Sequence, residues 1–195
     1  TCLDFDAILA KSRILLVNLR GSRTETGHAL GALVLSKIQM AAMGRANIPL
    51  ERRRLHHLYV DEVQNYATSS LDTILSEAAK YGLHLTIANQ FLSQLEGRTL
   101  KAVLGNVGTN VIFRCSEGDV DVATPIVRPN FDGYDLRNMN RYQAIVKTQV
   151  EGERVPAFVV HADSPRPDRE CLQPRSHRIR EMSRNRYGTS VNEID

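Results

Sequence analysis

Two short apolar runs, Leu58 to Val60 and Leu83 to Ala88, are separated by a single helix-length segment, and this spacing restricts the fold more than any other feature. The first run lies in Leu55-His-His-Leu-Tyr-Val-Asp-Glu-Val-Gln-Asn-Tyr-Ala67 and ends abruptly in two adjacent carboxylates, Asp61 and Glu62. Beyond Thr68, Ser69 and Asp72 stand at capping-box spacing and predict a helix start. Leu71, Ile74, Leu75 and Ala78 recur at helical spacing, Lys80 suits the last turn, and Gly82 supplies a C-terminal stop. The second run follows at once and ends in Asn89-Gln90. Such a unit is βαβ, and its right-handed crossover makes the two strands parallel. Parallel strands are buried on both faces and their ligands sit beyond the carboxyl ends. Asp61, Glu62 and Gln90 are therefore predicted at one edge of the sheet, pointing at a site.

In nucleoside triphosphatases an apolar strand ending in two carboxylates is the Walker B element. Its first carboxylate holds Mg²⁺, usually through water, and its second polarises the water that attacks the γ-phosphate. A glutamine at the next strand end senses the γ-phosphate or orients water by donating to one oxygen and accepting from another. Blander readings stand beside these: acids that cap the next helix, and a helix-capping or loop amide at Gln90. Leu19-Arg-Gly-Ser-Arg-Thr-Glu-Thr-Gly-His28 is not a phosphate loop. A Walker A loop is Gly-x-x-x-x-Gly-Lys-Ser/Thr, whereas here five residues separate Gly21 from Gly27, His28 replaces lysine and Ala29 replaces the hydroxyl residue.

Four segments together resemble the ATPase domain of conjugative coupling proteins. They are Leu58 to Ala67, Ile74-Leu-Ser-Glu-Ala-Ala-Lys-Tyr-Gly82, Leu85-Thr-Ile-Ala-Asn-Gln90 and Gly105-Asn-Val-Gly-Thr-Asn-Val-Ile-Phe-Arg114. These proteins are the TraG/TraD-like members of the type IV secretion machinery, relatives of the HerA and FtsK DNA pumps. The resemblance runs over roughly residues 13 to 160, and Met182-Ser-Arg-Asn-Arg-Tyr-Gly188 looks like the end of such chains. It implies an α/β, RecA-like P-loop NTPase core, here its C-terminal portion, with a mostly parallel sheet flanked by helices and a terminal β-hairpin. Residues 1–162 would form the ATPase domain without its Walker A loop, which is expected upstream, and 163–195 an Arg/Pro-rich tail.

The implied cofactors are ATP and Mg²⁺. Asp61 would organise the metal through water, Glu62 activate water, Gln90 sense the γ-phosphate and Arg114 stabilise charge in a neighbouring subunit of a homo-hexamer. Arg114 has an equal alternative as the structural partner of Asp119 or Asp121. The implied partners are DNA, single- or double-stranded, and secretion-channel or relaxosome proteins at the cytoplasmic face of a bacterial inner membrane. The fragment alone is expected not to turn over. A HerA-type pump without a secretion role, and a non-catalytic interaction domain on the same fold, remain open.

Bulk properties narrow the class little further. The 195 residues suit one domain with a sizeable core, and a net charge of +3 permits nucleic acid without requiring it. Cys2, Cys115 and Cys171 are too dispersed for a zinc site or a disulfide framework, and a reducing cytoplasm is the simplest setting. No run approaches the ~18 apolar residues of a spanning helix, and the opening residues are not expected to be a signal peptide.

Elsewhere the pattern predicts a short N-terminal helix or linker and a central apolar strand at Ile14-Leu-Leu-Val-Asn18. A core-packing helix is expected from Ala29 to Met43, built on Leu30, Leu33, Val34, Ile38 and Ala41. Arg52 to Arg54 are expected to be solvated, and His56 and His57 to face opposite ways. Arg20 and Arg23 are expected in a loop. Short helices around Asp119–Val127 and Tyr134–Arg137 precede a hairpin of Gln143–Gln149 and Val155–Val160. The arginine-rich tail has three readings: binding nucleic acid, docking a partner, or staying mobile.

Overall fold

The computed structural model describes residues 3–19, 25–66, 68–95, 97–164 and 172–189. Helix α1 (Phe5–Ala10) is capped by Asp4, whose carboxylate accepts the Ala7 N–H at 2.9 Å, and it buries Ile8 and Leu9. The apolar stretch after it forms no strand. Ile14 is 88% and Leu16 73% exposed, and only Leu15 packs inward. A strand exists through a hydrogen-bonded neighbour, and none of the described strands lies beside this one.

Helix α2 (Glu25–Met43) begins earlier than its apolar stripe suggests, and its inward face is Gly27, Gly31, Leu35, Ile38, Ala41 and Ala42. Ile38 and Ala41 are buried as expected, whereas Leu30 and Leu33 lie on the outside. The small residues win the inner face because another element approaches closely. A Cβ on Gly31 would overlap the Tyr66 ring and lie 3.0 Å from Leu19 Cδ1. Gly27 and His28 fall inside this helix, while Arg20 and Arg23 lie outside the described residues.

Strands β1 (His56–Val60) and β2 (Leu83–Ile87) run parallel, His56 opposite Leu83 and Val60 opposite Ile87, as predicted. Between them come a 3-10 turn (Val63–Tyr66), helix α3 (Ser69–Glu77) and a second 3-10 turn (Ala78–Tyr81). Gly82 closes the connection at φ 76°, a left-handed C-terminal stop that glycine adopts without strain. The N-cap of α3 is Thr68, one residue before the predicted Ser69. Asp72 lies in the first turn of α3, and its carboxylate accepts the Thr99 hydroxyl at 3.0 Å, which ties α3 to helix α4 (Gly97–Asn106).

Among the described strands only β1 and β2 are parallel. Strand β3 (Asn110–Ile112) leads to α5 (Glu117–Val127) and α6 (Gly133–Asn138). The chain then forms β4 (Gln143–Lys147), the short pair β5 (Gln149–Val150) and β6 (Glu153–Arg154), and β7 (Phe158–His161). Strands β3, β4 and β7 make an antiparallel sheet in that order, and β5–β6 form the tip of the predicted hairpin. Helix α7 (Leu172–Tyr187) occupies the arginine-rich tail.

Three apolar clusters hold the elements from α1 to α6 and the two larger sheets. One joins α1, α2, α3 and β2 through Leu9, Ala42, Ile74 and Leu83. The second gathers Leu35, Val60, Val63, Leu71, Leu95 and Val103. The third lies under the antiparallel sheet around Ala123, Val127, Leu136 and Ile145. Leu92 packs against both the second and the third, so the segment after β2 bridges the two sheets. No helix among the described residues is long and apolar enough to cross a membrane.

Candidate nucleotide site at the carboxyl ends of the parallel strands

The hydrogen-bond ladder of β1 and β2 continues one rung past the strands. Ala88 N–H donates to Val60 O at 2.9 Å, and Val63 N–H donates to Ala88 O at 3.0 Å. Asp61-Glu62 and Asn89-Gln90 therefore flank the same last rung. The burial of Val63, which is wholly inaccessible, pins the chain just beyond the carboxylates. To send Val63 inward, the backbone turns sharply at Glu62, which sits at φ 50° in the left-handed region. That conformation is uncommon for a residue with a Cβ and is a form of strain concentrated at functional sites.

Both carboxylates are exposed. Asp61 Oδ1 accepts the Glu62 N–H at 3.1 Å, and Glu62 Oε2 accepts the Gln64 side-chain amide at 2.5 Å. Gln64 carries out a role that its sequence position alone does not disclose: its NH₂ restrains the Glu62 carboxylate. Its own Oε1 is buried and has no partner among the described residues. Gln90 is exposed at a bend, and no described group engages its amide, so it caps neither neighbouring helix.

Arg114 stands apart from this trio. It follows β3, which belongs to the antiparallel sheet, and it is exposed with no ion pair among the described residues. Its structural alternative fails at Asp119. That buried carboxylate accepts the Ser93 N–H at 2.9 Å and the Ser116 hydroxyl at 3.1 Å instead. Asp119 thus fastens the segment that follows Gln90 to the start of α5, a few residues from Arg114. Beside it, burial first and the Asp119 charge second raise the Cys115 thiol above its ordinary pKa.

The opposite end of β1 is held by Arg45 and Arg53; Arg52 and Arg54 are exposed as expected, whereas Arg53 is half-buried. Arg53 donates to the carbonyls of Ala46, Ile48 and Lys80 and lies 5.7 Å from the Tyr81 ring centre. Arg45 is buried and donates to Arg54 O at 2.9 Å and Tyr81 O at 3.3 Å. Burial lowers its pKa, an effect opposed by Asp6. His56 and His57 face opposite ways as predicted; burial, then Arg45, then His57 push the His56 pKa down. His57 faces His84 across the strands, with ring centres 5.5 Å apart.

Two concavities, of about 370 and 430 Å³, lie between α5 and α6 and beside the β5–β6 tip, and neither includes Asp61, Glu62 or Gln90. The carboxylate edge is open surface. Among the described residues, no three His, Cys, Asp or Glu side chains converge as a metal cage.

Residues 56–124, from β1 into α5, match the family described as the TraM recognition site of TraD and TraG. The match covers 69 of the 195 residues. This TraG/TraD-like segment contains Asp61, Glu62, Gln90 and Arg114.

Among solved structures, the chain is similar to the bacterial conjugative coupling protein TrwB in an unbound form. The TM-score is 0.54 at 16% identity, over 71% of this chain and 38% of that one. TrwB in complex with ADP and Mg²⁺ gives 0.57 at 16%, over 70% and 37%. The genome packaging NTPase B204 of Sulfolobus turreted icosahedral virus 2, in complex with AMPPCP, gives 0.57 at 12%, over 85% and 73%. These likenesses establish the α/β, RecA-like NTPase fold. The chain spans little more than a third of the TrwB structures' length. No curated protein matches it.

Proposed function

We propose that this chain is the C-terminal part of the ATP-hydrolysing core of a coupling-protein-type DNA motor that serves conjugative transfer. The observation that supports this most is the shared last rung of β1 and β2, which sets Asp61-Glu62 and Asn89-Gln90 at one edge of a parallel pair. The donor set suits Mg²⁺, a hard cation that takes one or two carboxylates and keeps several waters. Asp61 has one oxygen engaged by backbone and none of the described groups on the other. When bound, the metal would neutralise charge on the transferring phosphate.

In this reading Asp61 orders the metal's water shell. Glu62, restrained by Gln64, accepts the proton of the attacking water, and Gln90 orients that water by donating and accepting at once. Arg114 would neutralise charge across a subunit boundary of a homo-hexamer, which its place on a separate, exposed edge permits. The phosphate cradle would come from another segment of the polypeptide, since this sequence contains no Gly-x-x-x-x-Gly-Lys-Ser/Thr loop. DNA is the proposed cargo and the cytoplasmic face of the inner membrane the proposed setting. A relaxosome component of the TraM kind is a proposed partner of residues 56–124.

The test is ATP turnover by the complete polypeptide that carries this chain, with Mg²⁺ and with and without DNA. Glu62→Gln should still bind nucleotide but lose turnover by about 10²–10⁴-fold, because the amide fits yet is a poor proton acceptor. Unchanged turnover in that variant would remove Glu62 from the chemistry. The family description favours a second reading, a protein-recognition platform without catalysis. It takes over if the complete wild-type polypeptide binds its partner but never hydrolyses ATP.

A further inference from the structure

Helix α7 has a charge pattern that the nucleotide site leaves unexplained. Over its 16 residues it carries Arg175, Arg178, Arg180, Arg184 and Arg186 against the single acid Glu181. That is +4, so the remaining 179 residues, with 20 basic and 21 acidic side chains, carry −1. All the net positive charge of the protein therefore sits on this helix. None of its described side chains belongs to the three apolar clusters, and those from Arg175 to Arg186 are exposed. Its one ion pair among the described residues is His177 with Glu181, at 3.8 Å.

The arginines are not confined to one stripe. At 100° per residue, Arg180 and Arg184 share one side, Arg178 projects from a second, and Arg175 and Arg186, three turns apart, share a third. Like charges four apart repel, and an isolated helix of this length is marginal in water. A polyanion that reached several sides at once would relieve that repulsion. A flat acidic protein surface or a bilayer meets only one side. The major groove of duplex nucleic acid is about 12 Å wide, admits a helix about 10–12 Å across and flanks it with two phosphate strands.

We propose that α7 is a basic arm that binds duplex nucleic acid through its phosphate backbone, with Arg178, Arg180 and Arg184 among the contacts. This inference stands apart from the ATPase reading, since it requires neither Asp61 nor nucleotide.

The experiment is fluorescence anisotropy of a labelled 20-base-pair duplex with the whole chain over a range of salt. Five phosphate contacts give a slope of log K against log salt of about −4.5. The triple variant Arg178→Gln, Arg180→Gln, Arg184→Gln should reduce the slope by about 2.7. Glutamine keeps helix propensity close to that of arginine, and circular dichroism verifies this. Restoring charge with lysine at the three positions should restore the slope. An unchanged slope in the glutamine variant overturns the proposal. So does tighter binding to a single strand with the same arginine dependence, or binding to anionic vesicles or polyglutamate without binding to the duplex.

Discussion

Replacing Asp119 tests whether the segment after Gln90 is held by one buried carboxylate. Asp119 is 3% exposed and makes two hydrogen bonds, to Ser93 N–H and to the Ser116 hydroxyl, that join the end of the parallel unit to α5. Hydrogen bonds to a charged group contribute about 1.5–3 kcal/mol each. Against this stands the cost of keeping the carboxylate out of water with no cation beside it among the described residues. Ser93 and Ser116 are themselves exposed, so water can reach the groups left behind and the full penalty for orphaned donors does not apply. The balance for Asp119→Ala is a loss of about 2 kcal/mol, against about 1 kcal/mol for Asp119→Asn, which keeps one acceptor. For a chain of this size that is a fall in Tm of about 4–8 °C for alanine.

Urea unfolding followed by circular dichroism gives the energy, and hydrogen exchange at the Ser93 amide gives the local effect. Protection of that amide should vanish in the alanine variant and persist in the asparagine variant. An alanine variant as stable as wild type, or equal exchange in all three proteins, would refute the clasp.

Two further outcomes follow from the packing. Gly31→Ala should destabilise by about 1 kcal/mol, because the overlap with Tyr66 costs about 1–3 kcal/mol against roughly 1 kcal/mol of regained helix propensity. A thermal melt showing a more stable variant would mean that Tyr66 yields freely. Stability should also fall as pH drops below the ordinary histidine value of 6.5. His56 is held neutral in the folded state by burial, Arg45 and His57, so the unfolded chain binds a proton there that the folded chain refuses. Above that value both states are neutral and the effect is absent. His56→Gln should flatten this part of the urea midpoint's pH profile, and an unaltered slope would exclude the residue.

The βαβ unit was readable from the sequence because everything that specifies it is local: an apolar run, a helical period, a glycine stop and a second run. The elements that failed depend on neighbours. Ile14 to Asn18 has a strand's composition, but pairing is a property of two segments. Leu30 and Leu33 fit a helical stripe, yet the face of α2 that turns inward is set by Gly31, where Tyr66 and Leu19 approach too closely for a larger side chain, and by Leu35, Ile38 and Ala42 beyond it. Asp72 has capping-box spacing, and a hydroxyl on α4 competes for its carboxylate. Of the site, Asp61, Glu62 and Gln90 were legible as strand-end polar residues. The roles of Gln64, Asp119 and Arg45 were not, because each acts on a group distant from it or on a turn whose geometry no periodicity encodes.

The backbone at Glu62 has a consequence for any experiment that randomises this position. At φ 50° a residue with a Cβ is disfavoured by roughly 1–2 kcal/mol relative to glycine. A library screened only for resistance to heat would therefore enrich glycine at position 62, whereas one screened for turnover would return glutamate. Two selections applied to a single codon would diverge, and the size of the divergence would measure how far the carboxylate is retained for its chemistry rather than for the fold.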